Sequence, residues 1–189
     1  MDKKARIFAS ATLFECGLGF LGVVLAWWFG VDLRAQMDVS GASVLRGLVA
    51  CVPMFVMLIV VMQSKWQPLV ELRQQVEAFV QELFAESNWF EMALISASAG
   101  VGEEVLFRGA LQPWLSGFVP AGLAVVIVSL VFGLAHALSP TYFVIATLIG
   151  GFLGWLALAY GDLVAPMVAH GVYDFVALMV VQRRVKKKL

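Results

Sequence analysis

Charge is scarce in this chain. Only 14% of its 189 residues are Asp, Glu, Lys or Arg, while 61% are hydrophobic. An ordinary soluble domain has about 25% charged and roughly 45–50% apolar residues, so that class is excluded. A mean hydropathy of +0.90 agrees. Histidine is scarcer still, with only His136 and His170, and cysteine is limited to Cys16 and Cys51 in separate apolar runs. Two cysteines so placed form neither a disulfide framework nor a zinc knuckle, and they read as small packing hydrophobes. Repeats, low-complexity stretches and a dividing linker are all missing, so residues 1–189 read as a single membrane domain. The net charge is zero and identifies no partner; nucleic acid is not expected among them, and the lipid bilayer is.

Several catalytic signatures are absent too. No HExxH occurs, which excludes a soluble-type zincin. No Gly-x-Ser-x-Gly occurs, which leaves Ser96 and Ser98 as helix-packing residues. Tyr173-Asp174 has a superficial likeness to an aspartyl intramembrane protease, but that chemistry needs a second aspartate in a Gly-x-Gly-Asp context. The nearest sequence is Ala159-Tyr160-Gly161-Asp162, at the edge of a span.

What is present is a series of apolar runs close to the 17–25 residues that cross a bilayer. The expected fold is all-α, a polytopic transmembrane helix bundle of about six spans plus one amphipathic surface helix. The spans read as 7–29, 45–62, 89–115, 121–137, 142–160 and 163–181. The basic start, Met1 to Arg6, has the look of a signal peptide, yet the run from Ile7 to Phe29 is too long for one and lacks a cleavage site; it reads as an uncleaved first span. Gly17, Gly19 and Gly22 give that span a thin side for a neighbouring helix. Trp27 and Trp28 mark its far interface, and Pro53 predicts a static kink in the second span. In 66–86, Leu69, Leu72, Val76, Phe79 and Leu83 recur at three- and four-residue steps among polar residues. That is an amphipathic helix at the membrane surface, read as a solvated connector, with gating of substrate entry as a second reading. Gly150 and Gly154 form a close-packing spacing. An even number of spans puts both termini on one side. Lys3, Lys4, Arg6, Lys65, Arg73 and the run from Arg183 to Lys188 then face the cytoplasm, and short loops suggest a prokaryotic inner membrane.

Against this apolar background the deep ionisable groups stand out, because each is costly in a membrane unless paired or wetted. Glu103, Glu104 and Arg108 lie in the third span, His136 ends the fourth, and His170 and Asp174 lie in the sixth. Glu104 and Arg108 are four apart, share a helix face and can pair. Glu103 is rotated by about 100° from Glu104 and is left free to act as a general base on a water. His170 and Asp174, also four apart, can hold one ligand between them: a metal ion, a water or an oxyanion. Glu103, His136, His170 and Asp174 are the candidate metal ligands and suffice for zinc or another divalent ion, and the same groups suffice for acid–base chemistry without metal. Glu15, inside the first span, reads either as a carboxyl bonded to a neighbouring helix or as part of a polar cavity.

Glu103-Glu104-Val105-Leu106-Phe107-Arg108 resembles the EExxxR motif of the CPBP family, the CAAX proteases and Abi-type bacteriocin-processing enzymes. Phe132 to His136 resembles its FxxxH motif, and His170 to Asp174 its HxxxN or HxxxD motif. The three occur in family order over about 89–181, the expected catalytic core. The resemblance implies an intramembrane endopeptidase acting on a peptide or membrane-protein substrate. In it Glu103 and His136 would activate water, His170 and Asp174 would bind metal or the oxyanion, and Glu104 and Arg108 would position the first motif. A non-catalytic binding or immunity protein using the same pocket and a small proton-coupled transporter are the alternative readings; the lack of inverted repeats speaks against the transporter.

Overall fold

The computed structural model describes residues 3–188. Met1 and Asp2 of the basic start, Leu189, and the side chains of Lys3 and Lys4 lie outside the description. Among the described residues the chain is helical, without strands. In order come α1 (Lys3–Phe29), a short 3-10 turn (Arg34–Gln36), α2 (Gly41–Gln63), α3 (Gln67–Phe84) and α4 (Trp89–Glu104). A π-helical segment (Val105–Leu111) follows, then α5 (Gln112–Ser116), α6 (Ala121–Ala135), α7 (Pro140–Tyr160) and α8 (Val164–Lys186).

Polar side chains at the ends set these boundaries. The Ser40 hydroxyl accepts from the Ser43 N–H to start α2. Asn88 and Glu91 form a reciprocal capping box at α4, which satisfies amides that would otherwise be orphaned. Ser139 caps α7, with Pro140 in its first turn, where the missing proline N–H costs nothing. Gly161 ends α7 in the left-handed region at φ 61°. Asp162, the aspartate set aside above, is buried and accepts from the Val164 and Ala165 amides, so it is occupied in capping α8. Helix α2 runs unbroken through Pro53.

By length and composition four helices, α1, α2, α7 and α8, can cross a membrane. The two other expected crossings have a different form. Helix α6 has 15 residues, about 22 Å at 1.5 Å per residue, short of the roughly 30 Å hydrocarbon core. The third run is the continuous rod α4–π–α5, with the charged residues near its middle. The outward face of α1 is largely apolar, with Phe20, Trp27 and Trp28 more than two-thirds exposed. Cys51 is buried as expected, whereas Cys16 is exposed.

Phe8 and Ala11 near the start of α1 pack against the hydrophobic cluster that holds Val181 and Val185 near the end of α8, so these two helix ends share one end of the bundle. Helix α3 closes that end. Its buried face is Leu69, Leu72, Val80 and Phe84, while Phe79, expected on the apolar stripe, is 44% exposed. Its polar face is exposed and its inner face is anchored: buried Glu77 pairs with Arg184 and Lys188. The Gln182 amide of α8 donates to the carbonyls of Phe84 and Ser87. Arg73 donates to the carbonyls of Val61, Met62 and Ser64, where a cation complements the C-terminal end of α2.

Small residues bring the helices together, as expected where lipid removes the hydrophobic drive between them. A methyl group on Gly102 would lie 2.2 Å from the Glu15 backbone oxygen, and one on Gly22 would lie 2.7 Å from the Leu106 nitrogen. Gly17, by contrast, meets nothing within 4 Å and plays no part in the thin side assigned to it. Backbone cannot escape such a contact by changing rotamer. Gly102→Ala is therefore expected to push α1 off α4 and to lower thermal stability in detergent by an overpacking cost of about 1–3 kcal/mol. Gly17→Ala, measured in the same scan, should match wild type.

Candidate active site

The site is built where α4 crosses α8. A Cβ on Gly100 would lie 2.7 Å from the Gly171 nitrogen and 2.8 Å from the Met167 oxygen, so the two backbones touch one turn below the carboxylates. This contact carries His170 to Glu104. The Glu104 Oε1 atom accepts from Arg108 Nη1 at 2.8 Å and meets His170 Nδ1 at 2.8 Å. Both side chains of the Glu104–Arg108 pair are fully buried, as its four-residue spacing predicts. Arg108 also donates through Nη2 to the Gly150 carbonyl at 2.8 Å and lies 4.5 Å from the Phe132 ring centroid.

Glu103 points the other way. It lines the cavity described below, which neither Glu104 nor Arg108 does. Its Oε2 atom lies 3.5 Å from His136 Nε2 and 4.0 Å from His170 Nε2, and has no hydrogen-bond partner. Asp174 Oδ2 lies 3.4 Å from His170 Nε2. Thus Glu103, His136, His170 and Asp174, from three helices, face one another.

The second ring nitrogens decide what these groups present. His136 Nδ1 lies 2.8 Å from the Phe132 carbonyl. A carbonyl can only accept, so Nδ1 carries the proton and Nε2 of the neutral ring is a lone pair. The same reasoning at the Glu104 carboxylate puts a proton on His170 Nδ1. The inner surface of the site is therefore rich in acceptors, and what completes it must donate protons or carry positive charge. His136 sits just past the end of α6 at φ −103°, ψ 5°, the sparsely populated bridge region where many active-site residues are found. Phe132 stacks on it at 4.4 Å between centroids.

The reacting groups open into a cavity of about 760 Å³. Its walls are mostly apolar and come from α1, α2, α3, α4, α6, α7 and α8, with Leu72, Val76 and Leu83 of α3 among them. The amphipathic helix therefore forms part of the chamber wall.

The rod around the charged residues carries a second layer that sequence reading missed. Gln112, four residues after Arg108, donates to the Gly154 carbonyl at 3.0 Å. Arg108 and Gln112 thus form two rungs onto Gly150 and Gly154. The equal spacing of the two pairs was the available signal; the glycines were read as packing only, and here they also let side chains reach backbone carbonyls. The rungs leave from the π-helical segment and its exit, and single π-turns of this kind are frequent at functional sites. Nothing in the composition distinguishes that segment from α-helix.

The donor chemistry of Glu103, His136, His170 and Asp174 suits a divalent cation. Among the described residues, however, no three His, Cys, Asp or Glu side chains are arranged to hold one.

Neither curated proteins nor solved structures give a match to this chain. A family comparison does: residues 85–176, the stretch that carries all three motifs, match the family described as type II CAAX prenyl endopeptidase Rce1-like.

Proposed function

We propose that the protein is an intramembrane endopeptidase that hydrolyses a peptide bond in a membrane-associated peptide or protein, with water activated by Glu103 and His136. The observation that carries this reading is the unpartnered Glu103 oxygen, 3.5 Å from His136 Nε2, inside a largely apolar cavity. Both atoms are acceptors, so a water shared by the pair satisfies them and is polarised by them. As the water oxygen bonds to the scissile carbonyl carbon, its proton passes to Glu103. The same proton is then delivered to the leaving nitrogen as the C–N bond breaks. His170 is held at Nδ1 by Glu104. In its doubly protonated form it offers an Nε2–H to the developing oxyanion, and Asp174 at 3.4 Å orients that edge of the ring. The apolar wall excludes bulk water and accommodates an apolar substrate segment.

The test uses purified full-length protein in liposomes with a set of membrane-anchored peptides, read by mass spectrometry. Two products whose masses sum to the substrate plus one water are expected. Tight peptide binding with no cleavage would support the binding or immunity reading, and ion-coupled flux would support a transporter. Localisation in a prokaryotic inner membrane with both ends cytoplasmic belongs to the same proposal, and it is supported by the basic ends and by the cluster that the start of α1 and the end of α8 share.

Metal dependence is a separate prediction. Activity is expected to survive dialysis against a chelator, because water activation here rests on Glu103 and His136. Activity that is lost on chelation and restored by zinc would instead move Glu103, His136, His170 and Asp174 into the ligand role.

A further inference from the structure

Glu15 lies in α1, outside the family-matched segment, yet it lines the same cavity as Glu103, His136, His170 and Asp174. Its place is fixed by backbone: the Gly102 position, immediately before Glu103, abuts the Glu15 carbonyl so closely that a Cβ there would lie 2.2 Å from it. The Glu15 Oε2 atom is buried and has no hydrogen-bond partner. Two buried acids of the bundle are matched by fixed cations, Glu104 by Arg108 and Glu77 by Arg184 and Lys188. Arg73, a cation of the cavity wall, is occupied by three carbonyls at the end of α2. Arg6 lies nine residues before Glu15, about 13 Å along the helix. The chamber therefore holds Glu15, Glu103 and Asp174 with no deep lysine or arginine, and its two histidines are ranged against Glu103, Glu104 and Asp174. An ionisable group inside a span marks a functional position whose counter-group should be named, and no ion pair of the bundle supplies one for Glu15.

We propose that Glu15 is a specificity residue that receives a lysine or arginine side chain of the bound peptide. The proposal rests on the endopeptidase reading and extends it to a substrate class: an apolar segment with a basic residue near the scissile bond. Glu15 comes from α1 and not from the elements that carry the Glu103–His136 pair, so it selects the substrate and leaves water activation to that pair.

The test compares peptides that differ only by lysine, norleucine or glutamate at one position, scanned along an apolar segment. Wild type should cleave the best lysine peptide with a kcat/KM about ten-fold above its norleucine twin, mainly through KM. Glu15→Gln should bring that ratio close to one, Glu15→Asp should keep its direction, and Glu15→Lys should shift preference to the glutamate peptide. An unchanged ratio in Glu15→Gln, or an equal fall in kcat for both peptides, would overturn the proposal. A parallel measurement of peptide binding by fluorescence anisotropy uses full-length Glu103→Gln protein and the double variant Glu15→Gln/Glu103→Gln. Lysine-selective binding that depends on Glu15, with no cleavage by wild type, would sink the endopeptidase reading and leave Glu15 in place. Cleavage without selectivity would do the reverse.

Discussion

Glu103→Gln should abolish cleavage while the protein still folds and accumulates in the membrane. The substitution nearly preserves shape and removes the basic oxygen. The atom it replaces makes no close hydrogen bond within the protein, so the scaffold loses little. Glutamine can even donate an N–H toward the Nε2 lone pair of His136, 3.5 Å from the present oxygen. Thermal stability in detergent should therefore equal or slightly exceed that of wild type. Turnover should fall by at least the roughly 10²–10⁴-fold typical of a lost general base. The measurement pairs a melting curve with single-turnover cleavage on one preparation. Full activity in the variant would remove Glu103 from the mechanism. A collapse of stability would mean that its carboxylate belongs to the scaffold.

The contrast between Glu103 and Glu104 was legible in the sequence because it depends only on helix geometry. Two adjacent residues are about 100° apart, and the arginine four positions on can pair with only one of them. The span boundaries were legible for a similar reason, since long apolar runs leave few other folds for the chain in lipid. The hub role of Glu104 was not legible. It depends on the crossing of Gly100 and Gly171, two glycines whose meeting no local pattern announces. Register on α3 failed by one residue along its second half: Val80 and Phe84 are buried where Phe79 and Leu83 were expected to lead. The reason is Glu77, which is buried by its contacts with Arg184 and Lys188 and turns the inner face toward itself. Reading polar residues as outward-facing could not anticipate that pair. For Glu15 the two readings were left open because its surroundings come from helices far along the chain; the cavity and the unpartnered oxygen support the polar-cavity reading.

Arg108→Ala should act on stability first and activity second. Its guanidinium is 1% exposed and bonds both Glu104 and the Gly150 carbonyl. Removing it leaves a buried carboxylate without its cation, a loss on the order of 3–5 kcal/mol. It also empties the space over Phe132, the ring on which His136 stacks. The variant should melt well below wild type and accumulate poorly. A second variant separates scaffold from function. Replacing both members of a buried pair by apolar residues of similar volume is often neutral for stability, so Glu104→Leu/Arg108→Met should recover much of the lost melting temperature. It should not recover turnover, because His170 Nδ1 then loses the acceptor 2.8 Å away that holds its ring. Cleavage restored along with stability would make Glu104 and Arg108 a purely structural pair. Neither property restored would mean that Glu104 is needed for the α4–α8 crossing itself, and the double variant would then melt no higher than Arg108→Ala.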